Sequence, residues 1–336
     1  MRNDMAARET ENQNRKGYKM RSRLQNFLLF PCLIFGFTPR SSAEAQPRIF
    51  AEGIISTGDH ESHPAFSPDG GTLMFVKMAP DFSKWTLFVS YDGKSGWSEP
   101  EIAPFSGQYW DADPFFTKDG KTLYFISNRP AKPGDPPKDF DIWKVEKKER
   151  GWSDPVQLPP PINSESSEYY PTLADNGSMY FGSRRNGGKG ATDIYLSRLE
   201  DGTYLTAVNI GEAINTSGNE FEPFIAPDES FLIFMATPTE ALDQTDLWIS
   251  YYLEGRWTKA LKLPAPFNSE AMEFSPMISL DGTQLFFSSS RNKHAAAFAG
   301  PERTGEMRQR IRSAGNGLLD IYQVDFSVLR KALESQ

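Results

Sequence analysis

Cysteine occurs once in this chain, at Cys32, and histidine three times, at His60, His63 and His294. A single thiol excludes an intramolecular disulfide and any Cys-based zinc site. Helix-period patterning is almost absent, apart from a short turn expected at 327–333, so strands are the building material. After Phe37 no apolar run is long enough to cross a bilayer. Positive charge is also scarce, with 36 Lys and Arg against 44 Asp and Glu. Such a surface repels phosphate, and nucleic acid is not an expected partner. The chain has no Gly-x-Ser-x-Gly, no His-Glu-x-x-His, no Walker loop and no dinucleotide fingerprint.

The first 45 residues read differently from the rest. Lys19, Arg21 and Arg23 precede the apolar run from Phe27 to Phe37, and Ala43-Glu44-Ala45 follows. That order is the pattern of a secretory signal peptide, with Met20 as the expected start and residues 1–19 as an upstream extension. Pro31 before Cys32 does not fit a lipoprotein cleavage site. A single domain over 46–336 and a periplasmic or secreted protein are expected.

What the chain does have is a phrase used five times: an acid, two residues, Pro, a short apolar stretch, then Asp-Gly or a variant. The copies start at Glu61, Asp111, Glu168, Glu220 and Glu273. Their turn acids Asp69, Asp119, Asp175, Asp228 and Asp281 recur about every 53 residues, the signature of a repeat architecture. Each unit holds four short strand-like runs. In the second they are Pro114–Thr117, Thr122–Ile126, Asp141–Val145 and a last run around Trp152 to Leu158. Period-two apolar and aromatic positions bounded by Gly, Pro and Asp describe antiparallel strands, and Asp-Gly is a hairpin signal.

Four antiparallel strands per repeat describe a β-propeller blade. A lone blade cannot cover its apolar faces, so blades must stack and the ring must close. Each linker carries an apolar residue followed by a short polar one: Ile55-Ser56, Phe105-Ser106, Ile162-Asn163, Ile214-Asn215 and Phe267-Asn268. These side chains can bond nearby backbone and shape the linker. The last unit lacks an outer strand, and Arg48–Ala51 precedes the first. An all-β propeller of five blades is expected, closed by the N-terminal strand on the last blade; six blades would need a cryptic unit.

Pro64-Ala-Phe-Ser-Pro-Asp-Gly70, Leu123-Tyr-Phe-Ile-Ser-Asn-Arg129 and Asp141-Ile-Trp143 resemble the WD40-like PD40 repeat of the TolB-type propellers. The resemblance covers 48–325 and implies the fold. It transfers no catalytic residue, and a counterpart of the extra N-terminal domain of TolB is not expected here.

Candidate chemistry lies on the inner strands. The five repeated acids are expected to ring one mouth of the channel. Two residues on, His63, Asp113, Tyr170, Glu222 and Ser275 follow on the same strand face. The ligand-binding candidates are thus Glu61, His63, Asp111, Asp113, Glu168, Tyr170, Glu220, Glu222 and Glu273. Arg129, Arg185 and Arg291 stand ten residues after the turn acid and match the carboxylates as structural ion pairs. Ala79 and Pro238 replace them in the first and fourth units, so Glu61 and Glu220 are expected to be free for a ligand. No resident cofactor is expected, with Ca²⁺ at the acidic mouth as the one cation considered. Tyr109-Trp110 could stack on a sugar ring or pack between blades. An insertion at about 292–317 carries a basic patch and reads as a flexible loop or a partner-binding element.

The main reading is a binding module at the channel mouth, for an envelope or secreted protein or for a saccharide, acting as a monomer. The alternatives are a carbohydrate-active hydrolase using Asp111, Asp113, Glu220 and Glu222, and a structural subunit of an envelope complex.

Overall fold

The computed structural model describes residues 46–132, 134–238, 245–294 and 301–334. The expected leader at 1–45 and part of the insertion, 295–300, lie outside these. Five antiparallel sheets are arranged as the blades of a β-propeller, with two short helices, Thr304–Ile311 and Phe326–Glu334. From axis to rim, the strands of blade 1 are His60–Phe66, Thr72–Met78, Trp85–Gly93 and Glu101–Ile102. Blade 2 has Asp111–Phe116, Thr122–Ser127, Asp141–Glu146 and Val156–Gln157; blade 3 has Glu168–Leu173, Met179–Ser183, Asp193–Ser197 and Val208–Asn209. Blade 4 has Asn219–Ile225, Phe231–Thr237, Asp246–Leu253 and Leu261–Lys262.

Blade 5 is built from both ends of the described chain. Its inner three strands are Glu273–Ile278, Gln284–Ser289 and Asp320–Asp325, and its outer strand is Arg48–Ile49, with Arg48 opposite Gln323 and Ile49 opposite Tyr322. Phe50 follows that strand into a cage of Phe66, Trp97 and Phe286, with ring centroids 5.4–5.8 Å away. The closure therefore joins blade 5 to blade 1 by backbone pairing and by aromatic packing.

Each second strand places one phenylalanine in the core: Phe75, Phe125, Phe181, Phe234 and Phe287, all essentially without exposure. Each faces an aromatic of the third strand, namely Phe88, Trp143, Tyr195, Trp248 and Tyr322. Period-two alternation puts these rings on one sheet face, where they fill the wedge between blades. Burying one such ring contributes about 1.5–3 kcal/mol.

The short polar residue of each linker completes the third strand of the blade it leaves. Asn163 accepts from Ile142 N at 2.8 Å and donates to Ile142 O and Leu158 O. Asn215 and Asn268 do the same at Ile194 and Leu247. Ser56 makes the equivalent contacts with Ile321 and Ser106 with Leu87 N. These side chains stand in for backbone partners that two-residue outer strands cannot supply.

The insertion departs from the expected plain loop. It carries the helix Thr304–Ile311, and its return segment docks on blade 1, where Leu319 donates to His60 Nδ1 and Leu319 O accepts from Glu61 N. The turn expected at 327–333 is the second helix, whose Phe326 and Leu329 are buried.

Candidate functional site

The inner strands do not run as regular strands, and this decides what their side chains face. In all five, the register against the second strand shifts at the same place: Ser62/Ala65, Ala112/Phe115, Tyr169/Thr172, Phe221/Phe224 and Phe274/Met277. The two residues left out are His63-Pro64, Asp113-Pro114, Tyr170-Pro171, Glu222-Pro223 and Ser275-Pro276. The first of each pair has φ between 47° and 53°. These are β-bulges, and proline fits there because the bulge asks for no ladder N–H. A non-glycine residue at positive φ costs about 1–3 kcal/mol and persists only where its surroundings fix it. The bulge separates the repeated acid from the residue two positions on, so the expectation that both share a face is corrected.

The repeated acids turn into their own blades. Glu61, Asp111, Glu168 and Glu273 have no exposure, and Glu220 almost none. The glutamates accept the N–H and hydroxyl of the residue four positions earlier, namely Thr57, Ser164, Thr216 and Ser269. Asp111, one methylene shorter, takes the Ser106 hydroxyl at 2.7 Å. Three arginines close the arrangement. Arg129 reaches Asp111 at 2.7 Å, Arg185 reaches Glu168 at 3.1 Å and Arg291 reaches Glu273 at 3.1 Å. Each guanidinium lies over the paired core rings of its blade: Phe125 and Trp143, Phe181 and Tyr195, Phe287 and Tyr322. The acids thus fix the linker turns.

Blade 1 lacks the arginine but not a cation, which corrects the expectation that Glu61 is free. Lys77, directly cross-strand from Glu61, places Nζ 3.1 Å from it. The cross-strand position was the missed signal, since residues opposite each other share a face. Glu220 faces Ala236 and has no cation among the described residues. Burial raises its pKa against the opposing pull of Thr216. Among the described residues no group of three or more His, Cys, Asp or Glu side chains is arranged to hold a metal ion.

The bulge residues converge instead. His63 Nε2 lies 3.2 Å from Asp113 Oδ1 of blade 2 and 3.2 Å from Glu222 Oε1 of blade 4. Asp113 Oδ2 accepts Tyr170 N at 2.8 Å, and Glu222 Oε2 accepts Ser275 N at 2.5 Å and its hydroxyl at 3.0 Å. Tyr170 donates its phenol to Pro276 O at 3.0 Å. All five blades are therefore linked across the axis. Ser62 Oγ lies 2.6 Å from His63 Nδ1, on the side of the ring away from the two carboxyl groups.

The protonation of this cluster follows from burial and charge. Burial disfavours the His63 cation, but Glu222 and Asp113 outweigh it and the net pKa is raised. Burial pushes Asp113 up to about 6, against the pull of His63 and with help from Glu222. Burial, then Glu222 and Asp113, keep Tyr170 neutral. Asp113 and Tyr170 of this cluster line a cavity of about 10 Å³, room for about one water, which Pro64, Pro114, Phe224 and Met277 also bound.

The converging bulge residues plug the axis, and the face where the inner strands begin carries half-buried aromatics in an unbroken chain. Trp85 stacks on Phe140 at 5.2 Å and touches Trp110 at 5.7 Å. Phe140 meets Tyr169 at 5.9 Å, and Tyr169 meets Phe221 at 6.3 Å. Trp110 thus packs between blades and keeps a partly open face, while Tyr109 lies under Arg129. Phe82, 44% exposed and at φ 57°, packs at a tilt against His60 at the same end, with ring centroids 4.8 Å apart. Only Tyr109-Trp110 of this surface was legible in the sequence, because the other rings come from four blades.

No family model matches the chain, and no curated relative matches it. Among solved structures, it is similar to a GH43 endo-arabinanase from Bacillus licheniformis, with 14% identity over 80% of this chain and 94% of that one at a TM-score of 0.47. An α-L-arabinofuranosidase from Podospora anserina, solved with cellotriose, shows 13% identity over 83% and 93% at 0.46. A puromycin-hydrolysing peptidase from Mycobacterium tuberculosis shows 15% identity at 0.40, over 73% of this chain, which spans 36% of the peptidase. At these values the similarities assign no function.

Proposed function

We propose that this propeller is a carbohydrate-directed protein that takes a saccharide on the aromatic face around its channel mouth. The observation that supports this most is the contiguous run of Trp85, Trp110, Phe140, Tyr169 and Phe221, rings from four blades that stay partly open to solvent. Sugar rings present apolar C–H faces that stack on aromatic planes, and rigid rings lose little entropy when a ligand docks. Isothermal titration against an oligosaccharide panel tests the reading. Wild type binds a member of the panel, and Tyr169→Ala with Phe140→Ala weakens that binding about tenfold or more. A folded wild-type protein that binds none of the panel overturns the proposal.

A hydrolytic activity has its own supporting observation. Asp113 and Glu222 have no arginine partner among the described residues, and both lie 3.2 Å from His63 Nε2, so two carboxyl groups meet at one point on the axis, the pair of groups that acid–base glycoside hydrolysis uses. Asp113, with its pKa raised to about 6, would supply the acid form. The one-water cavity means that substrate must displace the plug to reach them. Release of reducing ends, abolished in both Asp113→Asn and Glu222→Gln, is the outcome that establishes hydrolysis. Binding without release leaves a lectin-like module. Export to the periplasm or the exterior belongs to the same proposal, and N-terminal sequencing of the exported protein is expected to begin at Gln46.

A further inference from the structure

The repeat supplies a reference for every position, and one residue at the mouth breaks it. In blades 2 and 5 the residue before the structural arginine is Asn128 or Ser290. Each uses its side chain to hold the residue just before the repeated acid: Asn128 accepts Trp110 N at 3.0 Å, and Ser290 accepts Met272 N at 3.1 Å. Blade 3 has Arg184 at this position, which has no acceptor to offer. Its side chain turns outward and is exposed.

Arg184 is nonetheless held. Its Nε donates to Thr192 Oγ1 at 3.2 Å, and its guanidinium lies 5.8 Å from the Tyr169 ring centroid. Its two terminal amino groups have no partner among the described residues. Arg185 next to it is fully used by Glu168, Ser183 and the carbonyls of Pro161 and Ile162. The site thus combines a guanidinium laid over one face of Tyr169 and fixed at Nε, its open fork of terminal donors, and the neighbouring Phe140 ring. An arginine fork is matched in geometry and charge by a carboxylate.

We infer that the saccharide taken at this mouth carries a carboxylate, with a pyranose on Tyr169 and Phe140 and its carboxylate on the terminal nitrogens of Arg184. This rests on the saccharide reading above and narrows it to uronate- or muramate-type sugars. Neutral saccharides would keep the stacking and lose the ionic contact. On a protein with a net charge of −8, a fixed cation at the mouth also offsets the general repulsion of an acidic ligand.

The test uses the whole described domain with paired probes: trigalacturonate against neutral galactotriose, and a muramyl disaccharide against chitobiose. A charge-assisted contact predicts that wild type prefers the carboxylated member of at least one pair by about tenfold or more. The preference falls with added salt and disappears in Arg184→Gln, in which the two members of the pair bind alike. Equal binding of both members, or a preference that persists in Arg184→Gln at an unchanged melting temperature, overturns the carboxylate inference and leaves the saccharide reading standing. Binding of no probe overturns both.

Discussion

His63 Nε2 of blade 1 lies 3.2 Å from Glu222 Oε1 of blade 4, across the axis of the ring, with Asp113 of blade 2 at the same distance on the other side. One imidazole therefore stands between two buried carboxylates from non-adjacent blades. Replacing it with a neutral side chain leaves those carboxylates uncompensated. His63→Gln is expected to destabilise the domain by about 3–5 kcal/mol in urea unfolding. Adding Glu222→Gln to that variant should recover part of the loss, because one buried charge is then gone. An unchanged unfolding midpoint in His63→Gln would show that the cluster does not hold the ring.

The same cluster sets the pH dependence. Burial raises Asp113 to about 6, Asp141 to about 6 and Asp320 to about 7, so the native state holds these protons more tightly than the unfolded chain. Such groups stabilise the fold at low pH and lose that contribution as pH rises through the folded value. His63, raised through Glu222 and Asp113 despite burial, acts in the same direction. Its contribution is present below its unfolded pKa and is lost as pH passes its folded one. The melting temperature should be higher near pH 5 than near pH 8, and Asp113→Asn together with Asp320→Asn should flatten the slope. A melting temperature that rises from pH 5 to 8 contradicts these assignments.

Arg129 and Asp111 form the most deeply buried of the three arginine pairs, with both side chains under 10% exposed. Arg129→Met leaves Asp111 charged and dry, and an unfolding cost of about 3–5 kcal/mol is expected. The double variant with Asp111→Asn should be closer to wild type. Near-additive losses would mean that the two residues act independently.

Asn163 replaces a missing stretch of outer strand. Asn163→Ala removes its bonds to Ile142 N, Ile142 O and Leu158 O at once. Leaving such groups unsatisfied costs about 1–3 kcal/mol each where no water reaches them. Hydrogen exchange should accelerate at Ile142 specifically, and uniform exchange across blade 2 would argue against the role.

Much of the fold could be read from the sequence, because a period of about 53 residues with Asp-Gly turns leaves few alternatives to a propeller. The closing strand was legible too, since Arg48–Ala51 precedes the first unit and the last unit lacks its rim. The PD40 resemblance rests on the motif residues alone. The direction of the inner side chains was harder. The proline in the repeated phrase is a bulge signal that went unread, and period-two reasoning placed Glu61 with His63 and Glu220 with Glu222 on common faces. The bulge turns each acid into its own linker and sends the next-but-one residue to the axis. Lys77 could have been found by pairing Glu61 across the hairpin. The contacts of Trp85 with Trp110 and Phe140 could not, because they depend on how blades 1 and 2 meet.

The most direct test of the saccharide reading is a hydrogen-exchange footprint of the domain with an oligosaccharide it binds. The account predicts protection confined to the mouth segments around Phe140, Tyr169 and Phe221, together with the turn that carries Phe82. Protection elsewhere, such as the rim groove of about 600 Å³ lined by Lys262, Pro266 and Glu270, with the mouth unchanged, would contradict it.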